Sequence, residues 1–373
     1  MNTACVENLQ PVLTGRRAYA CLSGAALLHN LACVRRQAPH AKVIAMIKAN
    51  AYGHGIRSCA RLLCDEVDAF GVAHIDEAMI LRAIGIRTDI ILMEGVYSTV
   101  ELDLLLKNRC AMVCHNHEQL DWLENYDLQT PLFVWVKVDT GMGRLGFQPE
   151  MLGEVFARIH RMPQISKPFG LMSHFACAND HAHPLNQTQR RKFAALLDRF
   201  QGPVSICNSA AIWNFSDNHY DYVRPGIALY GVSPSSKNVD DCNLRPVMTL
   251  KSKLIAIKTI SSGQSIGYDA TYVCTRDMRV GVVAIGYGDG YPRDVGDGAV
   301  VLIQSKRCAI LGKVSMDMLV VDLSACPDAV IGTEVVLWGE GLPIAEVAAA
   351  TGRCSYELLC SVQHRVKFYW DEK

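Results

Sequence analysis

From Lys42 to Tyr230, short apolar runs rich in β-forming residues alternate with stretches whose apolar positions recur at helical spacing. The strand candidates are Val43–Lys48, Ala69–Ala73, Asp89–Glu94, Arg109–Cys114, Leu132–Val138, Phe169–His174, Val204–Cys207 and Tyr222–Ala228. Between them lie helix-period segments such as Asp76–Ile84, Glu101–Lys107, His117–Tyr126, Met151–Arg161 and Gln187–Phe200. Acidic residues sit toward the starts of these segments, where the helix dipole favours them. Eight strand–helix units are what a (β/α)8 barrel of the TIM type requires, although periodicity alone also admits an open parallel sheet.

After about Asn243 the pattern changes. Leu250–Ile260, Val280–Ile285, Val300–Ile303, Leu319–Leu323 and Glu334–Trp338 read as strands separated by turns, and only Ile344–Ala350 and Ser355–Val362, divided by a stop at Gly352, read as helices. The expected fold class is therefore α/β: an N-terminal barrel over residues 24–242 and a mostly β C-terminal domain over 243–373. A strand near 17–23 is a candidate to join the second domain.

Bulk properties narrow the function. Among 373 residues, Lys+Arg and Asp+Glu both number 37, so the chain lacks the basic excess that grips phosphate backbones, and nucleic acid is not an expected partner. Met1 through Gly24 lacks the apolar core of about 7–15 residues that a secretory signal needs. No apolar run reaches the ~18 residues of a membrane span. Fifteen cysteines, an odd number without a CxxC pair, read as reduced thiols of a cytoplasmic enzyme, not as a disulfide framework. Pairs such as Cys110 and Cys114, or Cys354 and Cys360, lack a metal-ligand spacing, and no metal is expected.

Reactive groups of a barrel gather where its strands end, which directs attention to Lys48 in the run Ala45-Met46-Ile47-Lys48-Ala49-Asn50-Ala51-Tyr52-Gly53-His54-Gly55. A lysine closing an apolar strand places its amine in a partly dry site, where it can form a Schiff base. Taken alone, it also reads as a solvated strand-end lysine.

The segment Lys48 to Gly55 resembles the cofactor-lysine motif of the alanine racemases, pyridoxal-phosphate enzymes of fold type III. The resemblance recurs, in order, at Lys137-Val138-Asp139-Thr140-Gly141-Met142-Gly143-Arg144-Leu145-Gly146, Ser173-His174-Phe175-Ala176, Asn208-Ser209 and Arg224-Pro225-Gly226-Ile227-Ala228-Leu229-Tyr230-Gly231. It continues through Ile266-Gly267-Tyr268-Asp269-Ala270-Thr271-Tyr272, Gly286-Tyr287-Gly288-Asp289-Gly290-Tyr291-Pro292-Arg293, Ser315-Met316-Asp317 and Ser355-Tyr356-Glu357.

The resemblance implies interconversion of L- and D-alanine by two-base proton transfer, in a homodimer whose active site is shared between subunits. Lys48 would hold pyridoxal 5'-phosphate and serve one face of the substrate Cα, and Tyr268 from the partner would serve the other. Tyr52, Asn208, Ser209, Gly226, Ile227 and Tyr356 would surround the cofactor, and Arg224 would face its pyridine nitrogen. His174 would link Arg224 to Tyr268. Arg144 and the Met316 backbone would hold the substrate carboxylate, Tyr287 would line the entrance, and Lys137 matches a lysine that is carbamylated in some relatives. Each has a plainer reading: Gly226 as a turn after Pro225, Ser209 as a helix cap, Arg224 as an ion-pair partner, His174 as a satisfied strand-end histidine, Tyr268 as a strand aromatic.

Asn179, Lys313 and Gly288 depart from commoner family forms and bear on entrance polarity and substrate breadth. Two alternatives remain at this point: a fold type III amino-acid decarboxylase, and a non-catalytic pyridoxal-phosphate-binding protein. The first favours an acid where Arg224 stands, and the second lacks a domain containing Tyr268 and Met316. The residues do not separate a biosynthetic role, supplying D-alanine for peptidoglycan, from a catabolic one.

Overall fold

The computed structural model describes residues 17–198, 200–234, 242–296 and 298–371. The reading of Met1 through Gly24 as lacking a secretory signal lies, up to residue 16, outside the described residues. The chain divides into two units, one formed by Ser23–Val247 and the other by the stretch ending at Leu22 together with Met248–Asp371.

The first strand, β1 (Tyr19–Leu22), belongs to the second unit. In the first unit, β2 (Lys42–Met46), β3 (Ala69–Val72), β4 (Asp89–Leu92), β5 (Cys110–Cys114), β6 (Val134–Lys137), β7 (Gly170–Met172), β8 (Val204–Asn208) and β9 (Tyr222–Arg224) form a closed barrel. All neighbours are parallel, and β9 returns to β2 through the pairs Lys42↔Tyr222 and Val43↔Val223, so the open-sheet alternative is excluded. Gly24–Gln37 precedes β2, and the helices Ile56–Leu63, Ile75–Ala83, Val100–Lys107, His117–Asn125, Leu152–Arg161, Pro184–Leu197 and Ser209–Asn214 connect the strands.

Strands covered on both faces are continuous apolar runs, and β3 and β6 are buried throughout. Packing inside is tight enough to demand glycine at Gly170, where an added Cβ would lie 2.3 Å from the Trp135 ring. That ring meets Tyr222 edge-on at 5.4 Å.

The strands are shorter than the apolar runs predict. The run Phe169–His174 contributes only Gly170–Met172 to the ladder, and Tyr222–Ala228 contributes only Tyr222–Arg224. Pro225 follows β9 at once and has no N–H to extend the pairing. His174, Gly226 and Ile227 are thereby released from the sheet into the loops at the strands' C-terminal ends.

The second unit is a mostly β domain built on β10 (Met248–Ile260), with β11 (Ser265–Ile266), β12 (Tyr272–Val273), β13 (Met278–Val283), β14 (Val300–Ile303), β15 (Lys306–Ala309), β16 (Leu319–Asp322), β17 (Glu334–Trp338) and β18 (Lys367–Trp370). Its main sheet runs β15-β14-β17-β10-β1-β18, and β13 pairs with both β10 and β16. Bulges on β10, between Leu250 and Lys251 and between Leu254 and Ala256, let its two halves serve different neighbours. A cluster of Ile260, Ile266, Cys274, Met278, Val280 and Leu311 packs beside the turn that carries Tyr268.

The pattern reading passed over β15 and β18. Of Lys306–Ala309 only Cys308 is buried, and Lys367–Trp370 is a half-buried edge, so neither shows the alternation of a strand. All cysteines among the described residues are free thiols. Among the described residues no helix is long and apolar enough to cross a membrane, and no group of three or more metal-ligating side chains occurs.

Candidate active site

Lys48 stands two residues beyond β2, at the barrel end where Lys137, His174, Asn208 and Arg224 also lie. The chain after it does something unusual: Ala49, Asn50, Ala51 and Tyr52 have φ of 52°, 55°, 55° and 51°, four consecutive non-glycine residues in the left-handed region. Such a conformation costs about 1–2 kcal/mol per residue, so its surroundings must enforce it. Glu77 does so at the start, accepting from Ala49 N at 2.7 Å and Ala73 N at 2.8 Å. Asn50 Oδ1 closes the far side by accepting from Ile56 N at 2.9 Å. Glu77 was missed as a site residue because an acid in a helix's first turn reads as a dipole partner.

The turn delivers the Tyr52 phenol to Gly226. A Cβ on Gly226 would lie 2.4 Å from Tyr52 Oη, so this glycine permits a close approach of chain and phenol. Ser209 Oγ accepts from Gly226 N at 2.8 Å and from Ala228 N at 3.3 Å, while Asn208 caps the short helix through Ala211 N at 3.1 Å. Tyr52, Ser209 and the Gly226-Ile227 backbone thus converge, and hydroxyls with backbone N–H groups are the donors an anionic oxygen needs.

Arg224 is buried. Its Nη1 donates to Ser205 Oγ at 2.5 Å, and its Nη2 donates to the carbonyls of Ser173 at 2.6 Å and Ile206 at 3.2 Å and faces His174 Nδ1 at 3.1 Å. None of these contacts uses Nε. Burial lowers the guanidinium pKa to about 10, which still leaves it charged at neutral pH. His174 Nε2 faces Asn208 Nδ2 at 3.4 Å. Burial, then the charges of Arg224, Lys137, Arg144 and Lys48, hold its pKa well below the ordinary value, so the ring is neutral.

Lys137 is buried as well, and its pKa falls to about 8 through burial, then Arg224, Arg144 and Lys48, against the opposing effect of Asp139. A small cavity is lined by Lys137, Asp139, Arg144, Ser173 and His174, among others. Asp139 organises the loop that carries Arg144, with Oδ1 accepting from Gly141 N and Met142 N at 2.8 Å and Oδ2 from Gly143 N at 2.9 Å. Burial opposes its charge, but the N–H groups of Gly141, Gly143, Met142 and Arg144 outweigh that and lower its pKa. Gln189 braces the same end, donating to Thr140 Oγ1 at 3.2 Å and to the His174 carbonyl at 2.8 Å. Asp139 and Gln189 were also missed, since they act mainly on backbone groups.

In the β unit, Tyr268, Tyr287, Met316 and Tyr356 are all among the exposed large side chains. Tyr268 rides a turn held by the ion pair Lys313 Nζ–Asp269 Oδ2 at 2.7 Å. The Tyr287 and Met316 loops are laced together, Tyr287 N donating to Ser315 O at 3.1 Å and Gly288 N to Met316 O at 2.8 Å. Arg365 lies beneath, paired with buried Asp289 at 2.9 Å and with Asp317. Ser361 Oγ donates to Gly290 O at 2.7 Å and ties in the helix Ser355–Ser361, which bears Tyr356.

The barrel end therefore offers an amine at a strand end, a cluster of four cationic groups in Lys48, Lys137, Arg144 and Arg224, and a glycine-floored cradle of N–H and hydroxyl donors. These residues fit an anionic carbonyl cofactor with a phosphate, as pyridoxal phosphate is. Barrel, β domain and donor set together suit an enzyme that holds pyridoxal phosphate at the C-terminal end of its barrel.

Comparison with known proteins makes the class particular. Residues 22–234 match the family model "Alanine racemase, N-terminal domain" and residues 247–370 match "Alanine racemase, C-terminal domain". An alanine racemase of Vibrio vulnificus (strain CMCP6) is 44% identical over 360 residues, covering 96% of this chain and 100% of the relative. One from Coxiella burnetii (strain RSA 331 / Henzerling II) is 43% identical over 363 residues, with 96% and 100% covered. The crystal structure of biosynthetic alanine racemase from Pseudomonas aeruginosa superposes with a TM-score of 0.93 at 41% identity, covering 96% of this chain and 100% of that one. The Bartonella henselae enzyme with covalently bound pyridoxal phosphate gives 0.87 at 27% identity, with the same coverage. The chain belongs to the alanine racemase family. Neither the decarboxylase nor the non-catalytic binding protein is favoured.

Proposed function

We propose that the chain interconverts L-alanine and D-alanine in a homodimer, each site joining the barrel of one copy to the β unit of the other. The observation that carries this reading is the strand-end Lys48 followed by an enforced left-handed turn that brings Tyr52 to the Ser209–Gly226 cradle. Pyridoxal phosphate, when bound, supplies an aldehyde that captures amines and a ring that withdraws electrons from the substrate Cα.

Lys48 would be the residue that holds pyridoxal phosphate at rest, and its amine, freed when the substrate amine takes its place, would move a proton to or from Cα on one face. Tyr268 Oη of the second copy does the same on the other face. Groups of this kind contribute on the order of 100- to 10,000-fold each. Tyr52, Ser209, the Gly226 and Ile227 N–H groups and Tyr356 hold the phosphate, with Asn208 beside them.

Arg224, whose Nη1 and Nη2 are engaged by Ser205, Ser173, Ile206 and His174, would face the ring nitrogen through Nε. A cation there would disfavour protonation of that nitrogen and so limit electron withdrawal, favouring return of the proton to Cα over side reactions. His174 couples Arg224 to Tyr268, Arg144 and the Met316 N–H hold the substrate carboxylate, and Tyr287 narrows the entrance. Lys137, whose pKa of about 8 leaves a fraction of it as the neutral amine, would be the residue to add carbon dioxide, releasing a proton, and the resulting carbamate would fix Arg144. We place the enzyme in the cytoplasm, where its free thiols are stable and D-alanine for peptidoglycan, or L-alanine for catabolism, is drawn from the amino-acid pool.

The test is deuterium wash-in at Cα from heavy water, for L- and D-alanine separately. Wild type exchanges both enantiomers. Tyr268→Phe keeps the cofactor's visible absorption but loses exchange of one enantiomer by about 100-fold or more, and Lys48→Ala loses the absorption. Full exchange of both enantiomers by Tyr268→Phe would remove Tyr268 from the reaction.

A further inference from the structure

We propose that His54 is a positioning residue: its Nδ1–H and its ring face lock the left-handed turn that aims Lys48 and the Tyr52 phenol. The proposal rests on the reading of those two residues as cofactor ligands. His54 is fully buried, and its Nδ1 lies 3.1 Å from the Ala51 carbonyl oxygen and 3.0 Å from that of Tyr52, both within the strained turn. Its ring stacks on Tyr230 with centroids 4.5 Å apart, and Tyr230 in turn stacks on Tyr52 at 5.0 Å. The Tyr230 hydroxyl donates to Met46 O at 3.0 Å, which anchors the stack to the end of β2.

The three rings therefore join the far end of the turn to the strand that precedes Lys48. A core-filling histidine would need none of this. Nε2 has no hydrogen-bond partner in the structure, so the ring's polar engagement is with the turn alone. Burial, outweighing the two carbonyls, lowers its pKa to about 4, so the ring is neutral and Nδ1 carries the donated proton at working pH. A turn of Ala, Asn, Ala and Tyr is freer to relax toward right-handed geometry once the Tyr52 carbonyl loses this donor and the Ala51 carbonyl keeps only the His54 backbone N–H. The Tyr52 phenol then moves off Gly226, and Lys48 loses the fixed turn that follows it.

The experiment titrates pyridoxal phosphate into the apo forms of wild type, His54→Phe and His54→Asn, reading visible absorption, and adds kcat and KM for alanine and a melting curve. His54→Phe keeps a ring but lacks the donor, and its cofactor Kd rises about tenfold or more, with kcat falling further than KM rises. His54→Asn keeps an N–H where Nδ1 lies and stays within about threefold of wild type. A purely structural role predicts a lower melting temperature with Kd and absorption maximum unchanged. That result, or an Asn variant as weak as the Phe variant, would overturn the proposal. Should His54→Phe not fold, His54→Asn decides, and a loss beyond about tenfold overturns it. A wild-type absorption that Lys48→Ala leaves intact would instead overturn the reading of Lys48, and this proposal with it.

Discussion

Lys137 and Arg224 share one barrel end, and burial lowers the basicity of both, to about 8 and about 10. Between the folded pKa of Lys137, about 8, and its ordinary 10.5 the unfolded chain binds more protons than the folded one, so stability rises with pH across that window. Below about 8 the buried charge is fully present and its cost is constant. In carbon-dioxide-free buffer, the unfolding free energy of wild type relative to Lys137→Met should therefore rise between pH 8 and 10, the alkaline loss from buried thiols and tyrosines being common to both. Equal slopes in both proteins would place the lysine charge in water. Arg224→Lys keeps a cation but not the planar fork that serves Ser173, Ser205 and Ile206. Leaving those groups short of donors should cost about 1–3 kcal/mol each way the network fails to close, read as a lower denaturation midpoint, together with reduced racemisation.

At the scale of elements, the alternation of strands and helices from Lys42 to Tyr230 carried most of the fold, and the apolar runs ending in Lys48 and His174, with the run that contains Arg224, marked the barrel end that matters. Where strands stop was less legible, because the ladder ends by backbone geometry, as at Pro225, while the apolar run continues. The left-handed turn was not legible at all, since Ala49, Asn50, Ala51 and Tyr52 show none of the glycine that normally announces positive φ. Its enforcers, Glu77 and Asn50, act through backbone N–H groups that no side-chain pattern reveals. Gly226 was found by the resemblance, and the structure supplies its physical reason, the 2.4 Å approach of Tyr52 Oη to an added Cβ. Gly226→Ala should displace the phenol and weaken cofactor binding about tenfold or more while leaving the circular dichroism unchanged. Binding within twofold of wild type, at about the scatter of such titrations, would show that the cradle tolerates the methyl group.

At the scale of the whole molecule, the residues proposed for catalysis divide between two units of the chain, Lys48 on the barrel and Tyr268 on an exposed turn of the β domain. Two-base inversion demands that both reach one Cα, and the dimer is proposed to provide that meeting. Activity should fall on dilution below the dimer dissociation constant, with specific activity and sedimentation coefficient declining together. The most direct measurement mixes two inactive variants, Lys48→Ala and Tyr268→Phe, under conditions that exchange subunits, and follows racemisation as mixed dimers appear by native mass spectrometry. Half the dimers formed at random are mixed, and each holds one site with both groups intact, so about a quarter of wild-type activity should return. Mixed dimers that form and remain inactive would contradict a site shared between copies.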